Sequence, residues 1–179
     1  AMAVSPDPNP WLDRHFLNIA HQGGEDEAPS NTLFALKSAM RERGADMLEL
    51  DVNLTQDGRL VVIHDDTVSR TTDGPPTRPA SHVSNLTLDQ VQSYDAGYWF
   101  RPGSYSHSAP AEEYLYRGIR TGDAPAPAGY APRDFRVPTI EEVLDAFPTT
   151  PINIEIKMEK TALDIGCLLY TSDAADDKA

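Results

Sequence analysis

The sequence holds a single cysteine, Cys167, among 179 residues. One thiol cannot close an intrachain disulfide or build a cysteine-based zinc site, and redox compartment stays open. No apolar run approaches the roughly 20 residues that a membrane helix needs, so no helical bilayer span is expected. No charged-then-apolar leader with a small-residue cleavage site opens the chain. Ala1 precedes Met2, so a lost signal is compatible with it, and localisation stays open. Basic residues are scarce: 15 Lys and Arg stand against 28 Asp and Glu, a formal net charge of −13. Nucleic-acid binders neutralise phosphates with clustered Lys and Arg, so nucleic acid is not expected as a partner. A small phosphate substrate is compatible with this charge, because a bound cation can reverse the field inside an acidic site. What is present is 40% hydrophobic and 24% charged residues, a globular balance at a length that suits one domain.

The last stretch is treated separately. Residues 167–176 read CLLYTSDAAD, which resembles the translated sequence of a transposon-type sequencing adapter. Residues 167–179 are therefore expected to be a non-native tail and are set aside from fold reasoning. The authentic chain is expected to stop near Gly166.

Upstream, Phe16 to Ala20 is a short apolar run ending at His21 and a Gly-Gly turn, which reads as a buried strand entering a loop. Leu33, Phe34, Leu36, Ala39 and Met40 recur at helical spacing. Ser30, Asn31 and Thr32 offer an N-cap, and Arg41 and Arg43 precede Gly44, so a helix is expected over 31–43. MLELDVNL reads as a second strand, Asp57-Gly58 as a tight turn, and RLVVIHDD as a returning strand. The proline-rich stretch 67–136 reads as loop, except for a helix over 88–94 with Thr87 and Gln90 as a capping box. Pro138, Thr139 and Glu142 open a further helix that Pro148 ends. INIEIKM reads as the third major strand. Strands alternating with helices favour an α/β architecture.

Four polar sites sit at successive strand ends: His21, the pair Glu49 and Asp51, His64, and the pair Glu155 and Lys157. Side chains two apart on a strand point the same way. In a parallel β/α barrel, catalytic residues collect at the C-terminal ends of the strands. If these strands are neighbours there, three carboxylates converge. Packed carboxylates repel unless a cation binds between them, and all-oxygen ligation suits Mg²⁺ or Ca²⁺ better than zinc. Two histidines beside such an ion suit acid–base work near neutral pH, and Lys157 adds a point charge for an anion. Taken singly, each pair suits a solvated surface better than a site; their recurrence at successive strand ends is what favours chemistry.

The segments AHQGG, EAPSNTLFAL, GADMLELDVNLTQDGRLVVIHDDTVSRTTDG, VPTIEEVLDAFP and INIEIK together resemble the glycerophosphodiester phosphodiesterase family, from about Asn18 to Lys157. The resemblance implies a TIM barrel of the phospholipase-C-like type, with 67–136 as an insertion and residues 1–166 as a partial catalytic domain that covers about three barrel strands. It implies that Glu49, Asp51 and Glu155 hold a divalent metal, Mg²⁺ or Ca²⁺. It further implies that His21 and His64 are the general acid/base pair and that Lys157 contacts the phosphate. A glycerophosphodiester would be cleaved to an alcohol and glycerol 3-phosphate. Two positions depart from the family pattern: His-Arg is His21-Gln22, and Pro-Glu-Asn-Thr is Pro29-Ser30-Asn31-Thr32. Losing one charge of a buried pair strands the other, so loss of both is read as a compensated change around the phosphate, with Gln22 at the substrate. Two alternatives carry less support: a non-catalytic fragment, because typical barrels of this type run to about 250 residues, and a related lipase of the sphingomyelinase D type, which shares the His, Glu-x-Asp, His plan.

Overall fold

The structure, a computed structural model, describes residues 16–157. In chain order the regular elements are β1 (Ile19–Ala20), α1 (Leu33–Glu42), β2 (Met47–Leu54), β3 (Leu60–Val62), α2 (Leu88–Ser93), β4 (Phe100–Arg101), β5 (Ser104–Tyr105), α3 (Ile140–Ala146) and β6 (Ile152–Ile156). The expected tail 167–179, Cys167 and Gly166 lie outside the described residues.

β2 is the centre of the sheet. It runs parallel to β1, with Ile19 opposite Met47 and Ala20 opposite Leu48. It also runs parallel to β6, from Leu48 opposite Ile152 to Val52 opposite Ile156. β3 returns antiparallel, with Val52 opposite Val62 and Leu54 opposite Leu60. Val52 pairs with both β3 and β6, so those strands lie on opposite edges of β2. The return uses the expected Asp57-Gly58 turn: Gly58 takes φ +75° and its N–H donates to the Thr55 carbonyl at 3.1 Å. The architecture is α/β with a parallel sheet.

β2 is shielded on both faces. Leu48, Leu50 and Val52 enter a core with Leu33, Leu36 and Ala39 of α1 and with Ile140 and Val143 of α3. Glu49, Asp51 and Asn53 occupy the opposite face and are also buried. A strand covered on both sides is the pattern of parallel sheets in α/β folds; here one covered face is polar, and burial of polar groups is tolerable only where partners satisfy them.

Capping sets the helix starts. Thr32 Oγ1 accepts from the Ala35 N–H at 3.1 Å, and Thr87 with Gln90 and Thr139 with Glu142 form reciprocal capping boxes. α1 begins at Leu33, two residues after the expected start, because Asn31 adopts φ +59° and cannot belong to a right-handed helix. Gly23, at φ +78°, sits so close to α1 that a Cβ there would lie 2.9 Å from the Ala35 Cβ. Only glycine lets the loop after β1 approach the helix this way.

Two expectations need correction. The run Phe16–Ala20 is not a buried strand: only Ile19 and Ala20 pair, and Phe16 is 86% exposed. β1 borders just two residues of β2. The stretch 67–136 is likewise more ordered than its prolines suggest. Val68, Val83, Leu86, Val91 and Ala96 form one buried cluster with Val61, Ile63 and Val137. Ile119 and Phe135 form another with Phe34 of α1, where the Phe34 and Phe135 rings stack at 4.5 Å. These contacts join residues distant in sequence, so no local periodicity announces them.

Candidate active site

Glu49 and Asp51 project from the polar face of β2, and Glu155 stands opposite Asp51 on β6. One oxygen from each carboxylate lies within 4.8 Å of the others. Asp51 is fully buried, Glu49 nearly so, and Glu155 is exposed on its strand. Asp51 Oδ1 has no hydrogen-bond partner among the described residues. It does lie 3.1 Å from Lys157 Nζ, which also reaches Glu155 Oε1 at 2.7 Å. The ammonium thus supplies the positive charge that three close carboxylates demand. Burial pulls the Lys157 pKa down, but the Glu155 carboxylate bonded to it and the Asp51 carboxylate beside it outweigh this and hold it above the ordinary value. Glu155 is held below its ordinary range, first by the Lys157 hydrogen bond, with smaller contributions from the His64 and His21 charges. The buried, underpartnered, all-oxygen donor set fits a hard divalent cation.

Two buried grips hold the carboxylates on β2. The Gln22 N–H donates to Glu49 Oε2 at 2.8 Å. Asn31 Nδ2 donates to Asp51 Oδ2 at 2.9 Å, and the Asp51 N–H donates back to Asn31 Oδ1 at 3.2 Å. Gln22 and Asn31 are the only non-glycine residues at positive φ among those described, at +50° and +59°. They are joined directly, since the Asn31 N–H donates to the Gln22 carbonyl at 2.8 Å. Left-handed backbone at two bulky residues is a cost retained where geometry matters. Asn53, third on the same face of β2, donates to the carbonyls of Ile63 at 2.9 Å and Asp65 at 3.1 Å, and so fixes the loop that carries His64.

The histidines share an arrangement. His21 Nδ1 pairs with Glu25 Oε1 at 2.9 Å, leaving Nε2 3.9 Å from Glu49 Oε2. His64 Nδ1 pairs with Asp65 Oδ1 at 2.9 Å. Asp65 is itself clamped by Arg70 through two bonds, 2.6 and 2.8 Å long. A carboxylate on Nδ1 orients an imidazole and favours a free Nε2. The Gln22 side chain is buried, and its Oε1 has no partner among the described residues. A cavity of about 420 Å³ opens beside β1 and α1; it meets this group only at His21 and Glu25 and contains none of the three clustered carboxylates.

Sequence spacing located His21, Glu49, Asp51, His64, Glu155 and Lys157; the structure brings Glu49, Asp51 and Glu155 together with Lys157, sets His21 3.9 Å from Glu49, and ties the His64 backbone to β2 through Asn53. It did not single out Asn31, Asn53, Asp65 or Arg70. Asn53 could have been found, because it continues the period-two polar face of Glu49 and Asp51; the others depend on chain reversals that spacing does not encode.

Comparison with known proteins decides the family. The model described as the glycerophosphoryl diester phosphodiesterase family matches residues 21–175. The chain belongs to this family. A glycerophosphodiester phosphodiesterase of Bacillus subtilis is 34% identical over 144 residues, which cover 80% of this chain and 38% of that protein. The lysophospholipase D GDPD1 of Homo sapiens is 31% identical over 153 residues, covering 86% and 39%. Among solved structures, a phosphodiesterase from Oleispira antarctica, in complex with the product sn-glycerol-3-phosphate, superposes with a TM-score of 0.55 at 27% identity, covering 80% of this chain and 45% of that one. A glycerophosphoryl diester phosphodiesterase domain from Mycobacterium tuberculosis gives a TM-score of 0.62 at 22% identity, covering 89% and 50%, and supports the fold. The chain spans well under half the length of these curated relatives.

Proposed function

We propose that β1, β2 and β6 are adjacent strands of a β/α barrel whose ends carry a divalent-cation-dependent site for hydrolysis of glycerophosphodiesters to an alcohol and glycerol 3-phosphate. The observation that carries this reading is the convergence of Glu49, Asp51 and Glu155 within 4.8 Å. Glu49, Asp51 and Glu155 would hold the cation, Mg²⁺ or Ca²⁺. A bound divalent ion polarises a phosphoryl oxygen and helps to activate the attacking water.

The remaining roles fall to the chain's own side chains. Glu25 and Asp65 each hold a histidine by Nδ1, so His21 and His64 present Nε2 to substrate. One takes a proton from the attacking water as its oxygen bonds to phosphorus, and the other gives a proton to the alcohol oxygen as its P–O bond breaks. Lys157, close to both Asp51 and Glu155, places a cation where the phosphate would meet the carboxylates, and Gln22 contributes a neutral amide at the same end of the site.

The test is hydrolysis of glycerophosphocholine by the native-length protein that carries this sequence, with MgCl₂ or CaCl₂ and after chelation. Turnover restored by either ion and abolished by EDTA is expected. Turnover indifferent to EDTA would sink the cation reading.

A second prediction concerns the departures from the family pattern. Positions 22 and 30 are neighbours in space, since Asn31 bonds the Gln22 carbonyl. Gln22→Arg alone would place a guanidinium in a buried position with no dedicated carboxylate. We expect it to lower stability by about 2 kcal/mol, and Gln22→Arg with Ser30→Glu to recover most of that loss and to lower KM. Equal turnover gains in the single and double variants would rule out the coupling.

A further inference from the structure

The β4–β5 hairpin, inside the proline-rich stretch, reaches back to the carboxylate face through one hydroxyl. Tyr105 Oη accepts from the Ser30 N–H at 2.7 Å and lies 3.1 Å from Ser30 Oγ, to which it can give its own proton. The next residue, Asn31, is the left-handed one that grips Asp51 at both ends of its amide. The Asn31 N–H also holds the Gln22 carbonyl, and the Gln22 N–H holds Glu49. The hairpin is anchored at its turn as well, where the Gly103 N–H donates to the Asp26 carbonyl at 2.6 Å, one residue from the Glu25 that holds His21.

The ring of Tyr105 serves the other half of the site. The Arg70 guanidinium lies over it, 5.3 Å from the centroid, and Arg70 clamps the Asp65 that holds His64. Phe100 backs the ring edge-on at 5.6 Å. Burial pushes the phenol up to about 12, only partly offset by the Ser30 bonds and Arg70, so the hydroxyl keeps its proton across the physiological range.

We infer that Tyr105 is a positioning residue: its hydroxyl fixes the Ser30–Asn31 segment against Asp51 and thereby sets the geometry of the carboxylate cluster. The inference rests on the reading of Glu49, Asp51 and Glu155 as cation ligands, and its test separates the two. Tyr105→Phe removes the hydroxyl and keeps the ring under Arg70. In the 179-residue chain, two quantities are measured: residue-resolved amide exchange at Ser30 and Asp51 without metal, and affinity for CaCl₂ and MgCl₂ by calorimetry. Val91→Ala, in the separate cluster around Val68 and Val83, is the control for general loss of packing.

Exchange at Ser30 and Asp51 is expected to speed by about tenfold in Tyr105→Phe, and cation affinity to fall by about tenfold, the low end for a residue behind a metal ligand. Val91→Ala is expected to leave cation affinity unchanged. Unchanged exchange at Asp51 overturns the inference, as does faster exchange with unaltered affinity, or an equal affinity loss in Val91→Ala. If the wild-type chain binds neither ion while Tyr105→Phe still frees the Asp51 amide, the cation reading falls and the grip of Tyr105 on Asp51 stands.

Discussion

Asp51→Asn is expected to weaken Mg²⁺ or Ca²⁺ binding about a hundredfold, to cut glycerophosphodiester hydrolysis about a thousandfold, and to leave the metal-free chain almost as stable as before. The affinity loss follows from the donor set. Asp51 is the fully buried member of the three carboxylates and carries a buried oxygen without a hydrogen bond. The near-neutral effect on stability follows from opposing changes. Asparagine keeps an oxygen for Asn31 Nδ2 and a backbone N–H for Asn31 Oδ1, so neither grip is lost in principle. It gives up an ion pair of 3.1 Å to Lys157, which keeps its closer contact to Glu155 at 2.7 Å. It also removes one of three like charges within 4.8 Å, whose repulsion is strongest where water is excluded. Calorimetric titration with CaCl₂ and urea unfolding in EDTA measure the two quantities. An EDTA-state loss well above about 2 kcal/mol with unaltered cation affinity would make Asp51 a structural acid and not a ligand.

The parts of this fold legible in the sequence are those governed by neighbours a few residues away. Thr87 and Thr139 cap the helices that they were expected to cap, and Thr32, one of three candidates, caps α1, because a hydroxyl reaches the third residue ahead whatever lies elsewhere. The Asp57-Gly58 turn and the period of two along β2 are local in the same sense, and they put Glu49 and Asp51 on one face. Tertiary pairing changed what local pattern implied at the two ends of the reading. Phe16 is apolar yet exposed, since β1 pairs over only two residues. Residues 67–136 carry turn-forming prolines yet bury Val68, Val83, Phe100 and Phe135.

The site divides along the same line. Residue type and spacing exposed the groups that would do chemistry, since carboxylates and imidazoles at strand ends have few other reasons to recur. The groups that hold them were hidden. Asn31 looked like one of three candidate caps, but its side chain is spent on Asp51 and the capping falls to Thr32. Arg70, unremarkable in the sequence, reaches five residues back to Asp65 and lies over the Tyr105 ring. Hydrogen-bonding side chains that position others are chosen by distance in space, and the sequence separation of 75 between Ser30 and Tyr105 leaves no periodic trace.

His64→Ala is expected to lower kcat by about 10²–10⁴-fold with little change in KM, the range for loss of a positioned acid or base. Asp65→Asn is the more informative change. His64 keeps its imidazole but loses the carboxylate on Nδ1, so kcat should fall by about 10–100-fold, less than in His64→Ala. The same substitution uncouples Arg70, whose two bonds to Asp65 form a partly exposed pair contributing about 1 kcal/mol. That contribution has a definite pH dependence. Partial burial raises the Asp65 pKa, but the Arg70 and His64 hydrogen bonds outweigh it and hold the carboxyl below its ordinary value. A carboxyl lowered in the folded state stabilises above its unfolded value of about 3.9, and the gain fades as pH falls through the folded value. Wild type and Asp65→Asn should therefore differ in urea midpoint at pH 7 and converge toward pH 2. A gap that persists at acid pH would assign the loss to packing and not to the charge. An Asp65→Asn kcat equal to wild type would show that His64 needs no carboxylate behind it.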